Sequence, residues 1–390
     1  MINQAVIFCG GYGRRLLPIT KKTPKPMVLV DDKPFLYHLI RQCKLNGIDN
    51  FLLLCGYKKE LISKYFGDGS KFGVKIKYHF NAPEVQTLKR LIDAKKMIKN
   101  EFLLLYSDNY SDLNLHQLKK KYDSLKSSFL VTICKKKNGN ILINKKNEKI
   151  KKYFFDKKKS SNFVEIGYML IKKDILPEKI FNKKISFNNF INKQLLKKKV
   201  NYFINENNYL SISDINRYRI TQKYFKNKII LVDRDGVLNK KNKNHYYVRS
   251  LKELKINDNL IKKYKKKLKE KKVICITNQA GISTGDLSKK NLSLINNDIK
   301  KTLKKSQINI IDFFVSKHHY KSKNIDRKPG AGLFLKAAKK YKFILDKTIY
   351  IGDDIRDIEA SYNAKCKCIY VGNKKLNLKQ KKKFRYILTT

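Results

Sequence analysis

Acidic residues are scarce in this chain. Its 390 residues include 32 Asp and Glu against 89 Lys and Arg, a formal charge of +57. Such an imbalance invites a nucleic-acid partner. A second scarcity argues against one: only 11 of the basic residues are arginine, the side chain that forks onto phosphates and base edges. The lysines are spread through every segment, in company with abundant Asn, Ile, Tyr and Phe, residues that AT-rich codons favour. Compositional bias is therefore the preferred reading of the charge, and a polyanion partner is the alternative. Anionic small substrates are drawn in under either.

Long hydrophobic runs are also missing. No stretch approaches the roughly 20 apolar residues that span a bilayer, so no membrane partner is expected. The opening "MINQAVIFCGG" lacks a basic n-region, and its apolar run is too short for a signal peptide; a cytoplasmic protein is expected. Cysteine is sparse, dispersed and odd in number, seven in all, which argues against a disulfide framework. Only Cys366 and Cys368 are close, and in "KCKCIYVG" they alternate onto one face of a strand. Two thiols packed on a sheet is preferred there to a metal pair. Oligomeric state is not legible.

What is present is an α/β rhythm that starts twice. "QAVIFCGG", "NFLLLCGY", "KIKYHF" and "EFLLLYSDN" read as strands, separated by helical stretches such as "KPFLYHLIRQCKLNG" and "TLKRLIDAKKMIKN". From residue 228 the rhythm restarts with "KIILVDRD", "KVICITNQ", "IIDFFVS", "TIYIGDD" and "CKCIYVG". Strands alternating with helices predict two Rossmann-like, three-layer α/β/α domains, each with a mostly parallel sheet and its site at the carboxyl ends of the strands. No Gly-, Pro- or Ser-rich linker divides them. The boundary is placed near Asn227, giving domains 1–226 and 227–390.

In "LVDRDGV", strand alternation would send Asp233 and Asp235 into one site while Arg234 points elsewhere. One carboxylate can attack phosphorus; the other can protonate the leaving alcohol and then activate water. Gly236 allows a sharp turn close to a phosphate. "ITNQAG" offers Thr277 and Asn278, and "RKPGAG" offers Lys328 at a helix start, where cation and helix dipole both favour phosphate. "YIGDDIRD" brings Asp353, Asp354 and Asp357, which with Asp233 make an all-oxygen site suited to Mg2+.

This ordered set, "DRDG", "TNQ", "RKP" and "GD", resembles the haloacid-dehalogenase-like phosphatases over about residues 228–373, in particular the heptose-bisphosphate and histidinol-phosphate subgroup. The resemblance implies Asp233 as nucleophile and metal ligand, and Asp235 as acid/base and backbone carbonyl ligand. It implies Thr277, Asn278 and Lys328 on the phosphate, Arg327 near the substrate, and Asp353 on Mg2+. Relatives often carry a zinc loop with four cysteine or histidine ligands. Here Ser316, Asn324 and Asp326 stand at cysteine positions, with His318 and His319 left as loop residues, so no zinc is expected.

The first start, "GGYGRRLLPITKKTPKP", places three glycines after a strand, where backbone N–H groups can cradle a triphosphate and Arg14, Arg15 and Lys25 can offset its charge. With Pro24-Lys25-Pro26 following, it resembles the signature of the sugar-1-phosphate nucleotidyltransferases, and the likeness runs over about residues 3–225. It implies Gly10, Gly11, Gly13, Arg15 and Lys25 on a nucleoside triphosphate and Asp108 on Mg2+. The sugar phosphate would attack the α-phosphorus and expel pyrophosphate. Two departures stand out. Ser211 takes the place of a second metal aspartate, with Asp214 three residues on, and Gln86 and Leu88 replace glycines in the loop that reads base and sugar. The nucleotide is not written in that loop.

A phosphatase and a nucleotidyltransferase in one chain imply consecutive steps. The first would remove the 7-phosphate of D-glycero-D-manno-heptose 1,7-bisphosphate; the second would join the heptose 1-phosphate to an NTP, GTP being the expected one. Sugar phosphates and a nucleoside triphosphate are the expected partners. Two alternatives stay open: an enzyme that processes nucleic-acid 3′-ends, and a working phosphatase (of histidinol phosphate, for instance) whose front half is a binding module.

Overall fold

The structure, a computed structural model, describes residues 2–112, 114–154, 161–181, 184–226, 228–242, 247–377 and 381. The chain divides into two compact units, Met1–Lys223 and Tyr224–Thr390. Asn227, the expected boundary, lies outside the described residues.

Among the described residues the first unit carries a nine-stranded sheet. In chain order its strands are β1 Gln4–Cys9, β2 Asn50–Cys55, β3 Lys75–Phe80, β4 Glu101–Tyr106, β5 Phe129–Gly139, β6 Ile141–Asn144, β7 Lys149–Tyr153, β8 Ser161–Lys172 and β9 Asn201–Ile204. Their spatial order is β3-β2-β1-β4-β8-β5-β9-β7-β6. The first four run parallel. Near-continuous apolar runs build β1, β2 and most of β4, as befits strands covered on both faces. Beyond β4 the sheet turns largely antiparallel, through β8 and β5. That half was not read as strands from the sequence. The outer stretch of β5, Lys135–Asn138, is exposed and lysine-rich, so the apolar run that betrays a strand stops early there.

In the second unit five parallel strands follow: β10 Ile229–Val232, β11 Lys272–Asn278, β12 Ile310–Ser316, β13 Ile349–Gly352 and β14 Lys367–Tyr370. Their order is β12-β11-β10-β13-β14. The chain builds outward from β10 to one side, then returns to its other side, the switch point at which doubly wound sheets place their sites. Alternation within β10 is visible in the core. Ile229 and Leu231 pack with Phe334, Ala337 and Ile358 on one face; Ile230 and Val232 pack with Ile261, Ile295 and Ile299 on the other. Helices Gly332–Tyr341 and Ile355–Ala364 cover the first face, Asp258–Lys269 and Lys289–Lys305 the second. Cys366 and Cys368 both lie in the first of these cores. Every cysteine is buried, and none is in a disulfide. Among the described residues no helix is long and apolar enough to cross a membrane.

Candidate active sites

In the second unit β10 ends at Val232, and Asp233 is held by its N–H on the carbonyl of Ile351 at 2.9 Å. The Lys328 ammonium lies 2.8 Å from Asp233 Oδ1 and 2.7 Å from Asp357 Oδ1, and donates to the Tyr350 hydroxyl at 2.8 Å. Lys328 is 4% exposed, so this charge has left water and depends on its carboxylates. Burial raises the Asp233 carboxyl above its usual range, with Lys328 opposing. Lys328 sits in the turn before helix Gly332–Tyr341 rather than at its start, so its position comes from side-chain anchoring. Asn278 supplies the anchor: its carboxamide accepts from the Lys328 N–H at 3.0 Å and donates to the Lys328 carbonyl at 3.1 Å. The Thr277 hydroxyl, at the end of β11, accepts from Gln279 at 2.9 Å.

Asp353 and Asp357 come from the end of β13 and the first turn of the next helix. Asp357 Oδ2 accepts from the N–H groups of Asp353 and Asp354, both at 3.0 Å. Asp354 caps the same helix and forks onto Arg356, which lies outside the carboxylate group. Ligand oxygens of Asp233, Asp353 and Asp357 lie within 4.8 Å of one another. Asp353 Oδ1 is buried without a partner, while Oδ2 takes Lys241 at 2.6 Å. Three carboxylates with one orphaned oxygen offer the kind of donor set that a hard cation takes. Gly236, at φ +95°, passes so close that a Cβ there would stand 2.1 Å from Asp353 Oδ2.

Asp235 lines the same cavity as Asp233, and Arg234 does not. Arg234 is fully buried and reaches the Asp235 carboxylate, the Gln279 carbonyl oxygen at 2.9 Å and Asn296 at 3.3 Å. Gln279 also donates to Asp235 at 2.6 Å and Asn239 does so at 3.0 Å. Opposing burial, Arg234 and these donors hold the Asp235 carboxyl below its usual range. Arg234 therefore braces Asp235 from the interior without lining the cavity. Above the carboxylates opens a cavity of about 560 Å³, whose wall includes Asp235, Thr277, Arg327, Tyr247, Tyr320 and Arg356. Arg327 is buried and donates to the His318 carbonyl at 3.4 Å.

In the first unit, Gly10 follows β1 and the turn runs through Gly13 at φ +70°. Lys25 pairs with Asp108 at 3.2 Å, and Ser213 donates to the same carboxylate oxygen at 3.3 Å. Ser211 bonds Ser213, and Asp214 is spent on the N–H of Arg217, so neither places a second carboxylate beside Asp108. Arg15 is exposed, and Arg14 lies over the Tyr12 ring at 5.4 Å. Gln86 precedes helix Thr87–Asp93 and Leu88 is buried within it. Sequence reasoning passed over Glu165, whose carboxyl is pushed up to about 7 by burial, with Asp108 adding to the rise. It also passed over Arg90.

Comparison with known proteins agrees with this division. Residues 4–207 match the family model for nucleotidyl transferase, more than half of the chain. The chain belongs to that family. A D-glycero-alpha-D-manno-heptose 1-phosphate guanylyltransferase of Campylobacter jejuni is 32% identical over 216 residues, covering 54% of this chain and 94% of the relative. A protein of the same name from Aneurinibacillus thermoaerophilus is 26% identical over 226 residues, covering 56% and 97%. Among solved structures, HddC from Yersinia pseudotuberculosis complexed with GMP-PN shares the fold, at TM-score 0.50 and 21% identity over 57% of this chain and 99% of that one. Residues 228–384 match the family model described as polynucleotide kinase 3 phosphatase, so this nucleotidyltransferase carries a phosphatase-type second domain.

Proposed function

We propose that the chain is a bifunctional enzyme of nucleotide-sugar synthesis. Its second unit removes the 7-phosphate of D-glycero-D-manno-heptose 1,7-bisphosphate, and its first joins the resulting heptose 1-phosphate to GTP with release of pyrophosphate. One pairing carries this reading: the buried Asp233–Lys328–Asp357 group shares a chain with a unit similar to heptose 1-phosphate guanylyltransferases along nearly their whole length.

In the phosphatase reaction an Asp233 oxygen forms a bond to phosphorus as the ester P–O bond breaks. Asp235 is ionised at rest, so the proton comes with the substrate: it passes from the phosphate monoanion through Asp235 to the departing sugar oxygen, and Asp235 then takes one from the water that hydrolyses the aspartyl-phosphate. Lys328 balances the anionic nucleophile, Thr277 holds a phosphoryl oxygen, and Asn278 keeps Lys328 in place. Asp233, Asp353 and Asp357 fit Mg2+, with the orphaned Asp353 oxygen as a ready ligand and the Asp235 carbonyl completing the set. When bound, Mg2+ neutralises phosphate charge beside the nucleophile. In the first unit Asp108 would be the residue to hold Mg2+, which would offset the charge of the triphosphate. There Gly10, Gly11 and Gly13 leave room for the phosphates, and Lys25 and Arg15 offset their charge.

A second reading has its own support. The phosphatase-type match is to a polynucleotide 3′-phosphatase, and the chain carries +57. Phosphate release with Mg2+ from heptose 1,7-bisphosphate, histidinol phosphate and a 3′-phosphorylated DNA end separates the two, with Asp233→Asn as control. Selective turnover of the bisphosphate, lost in the variant, is the expected result. Preference for the DNA end would overturn the sugar reading. Pyrophosphate release from GTP and heptose 1-phosphate tests the first unit independently.

A further inference from the structure

Arg90 is the fourth residue of helix Thr87–Asp93 and is 2% exposed. Its guanidinium makes no salt bridge among the described residues and ends wholly on backbone carbonyls. Nε donates to Val85 at 2.7 Å and Nη1 to Cys55 at 2.8 Å. Nη2 donates to Ala82 at 2.9 Å and Pro83 at 3.0 Å, and reaches Gly10 at 3.4 Å. Those carbonyls belong to three pieces of chain: the glycine turn after β1, the end of β2, and the loop 82–86. The glycines record the fit. A Cβ at Gly10 or at Gly56 would stand 2.5 Å from the guanidinium. Gly10 is thus explained by the arginine beneath it, whereas a Cβ at Gly11 would meet nothing within 4 Å.

The loop that Arg90 gathers ends at Gln86, which, like Leu88 in the helix that follows, stands where the family resemblance expects a glycine. It borders the triphosphate turn, since Glu84 accepts from the Tyr12 hydroxyl at 2.6 Å. An arginine has five donors in a rigid plane, and here it works as a bracket for carbonyls that would otherwise point at one another.

We propose that Arg90 is a positioning residue for nucleotidyl transfer. It fastens loop 82–86 to the glycine turn, so the walls of the triphosphate site stand in place before the nucleotide arrives. Ordering that binding would otherwise have to impose is already done, and its loss falls on nucleotide affinity rather than on the chemical step.

The test uses the full chain with Mg2+ and GTP, CTP, UTP and dTTP as probes. Wild type should bind at least one of them. Arg90→Lys, which keeps the charge but not the fork, should weaken that nucleotide about tenfold or more while melting close to wild type. Gly56→Ala, whose Cβ would also stand 2.5 Å from the guanidinium, should give the same pattern. In both variants amide exchange in residues 82–89 should quicken and be slowed again by saturating nucleotide, a response that a merely structural arginine does not predict. KM for the nucleotide should rise with kcat little changed. Nucleotide affinity within twofold of wild type in both variants, loss confined to kcat, or no binding by wild type would overturn the proposal.

Discussion

Replacing Lys328 with Met tests the phosphatase site most directly. The ammonium stands between Asp233 and Asp357 at 2.8 and 2.7 Å, in a place where it is 4% exposed. Methionine has nearly the same volume, so the packing survives and the charge does not. Removing one partner of a buried ionic group costs about 3–5 kcal/mol, because the carboxylates left behind have no cation. For a unit of this size each kcal/mol moves the melting point by roughly 2–4 °C, which gives a drop of about 6–20 °C at neutral pH. The sign of the pH dependence follows from Asp233, whose carboxyl burial already raises. Without Lys328 the folded state binds a proton there that the unfolded chain releases, so the variant gains stability as pH falls, and its deficit against wild type should narrow toward acid. Mg2+ should narrow it too, by supplying the missing charge. Thermal unfolding of the full chain, with and without Mg2+ across pH, measures all three. A variant that melts within about 2 °C of wild type at neutral pH, or a deficit that widens toward acid, would refute the ionic account.

Two further outcomes are expected. Burial lowers the His38 imidazole from 6.5 to about 4, with its Nε2 against the Val30 carbonyl at 2.8 Å. The fold therefore prefers neutral His38, and about 3 kcal/mol of stability present above pH 6.5 should be lost between about 6.5 and 4; His38→Gln should flatten that part of the stability curve, measured by urea unfolding, and an unchanged slope would remove His38 as its source. Gly236→Ala should cost only about 1–2 kcal/mol of stability for its left-handed backbone, yet nearly abolish phosphate release by driving the Asp353 carboxylate from its place; near-normal turnover in a folded variant would contradict the close approach.

Much of this was legible in the sequence. The strands that carry both sites are the most apolar runs in the chain, and each ends in the residue that matters: Gly10, Asp108, Asp233, Thr277, Asp353. What escaped was set by contacts distant in sequence. Arg234, expected only to point elsewhere, is buried and braces Asp235 together with Gln279 and Asn296, both far along the chain. Asn278 lines the cavity, and its bonds to the backbone groups of Lys328, fifty residues on, are written in no local pattern. Arg90 gives no local signal at all. A lone arginine in a short helix reads as surface until the folded chain brings five carbonyls to it. The antiparallel half of the first sheet was hidden by lysines on its exposed stretches.

The beginning of helix Ile355–Ala364 has a consequence for how the phosphatase site forms. Asp354 and Asp357 make a reciprocal cap, and Asp357 is also the carboxylate that meets Lys328 and completes the cation cradle. One side chain therefore starts a helix and finishes a reaction centre. The first turn cannot fray without dismantling the cradle, and whatever fills the cradle tightens the first turn. Assembly of the site and nucleation of the helix are a single event, so occupancy of the centre should be readable in the slowed exchange of the Asp353 and Asp354 amides, both of which Asp357 holds.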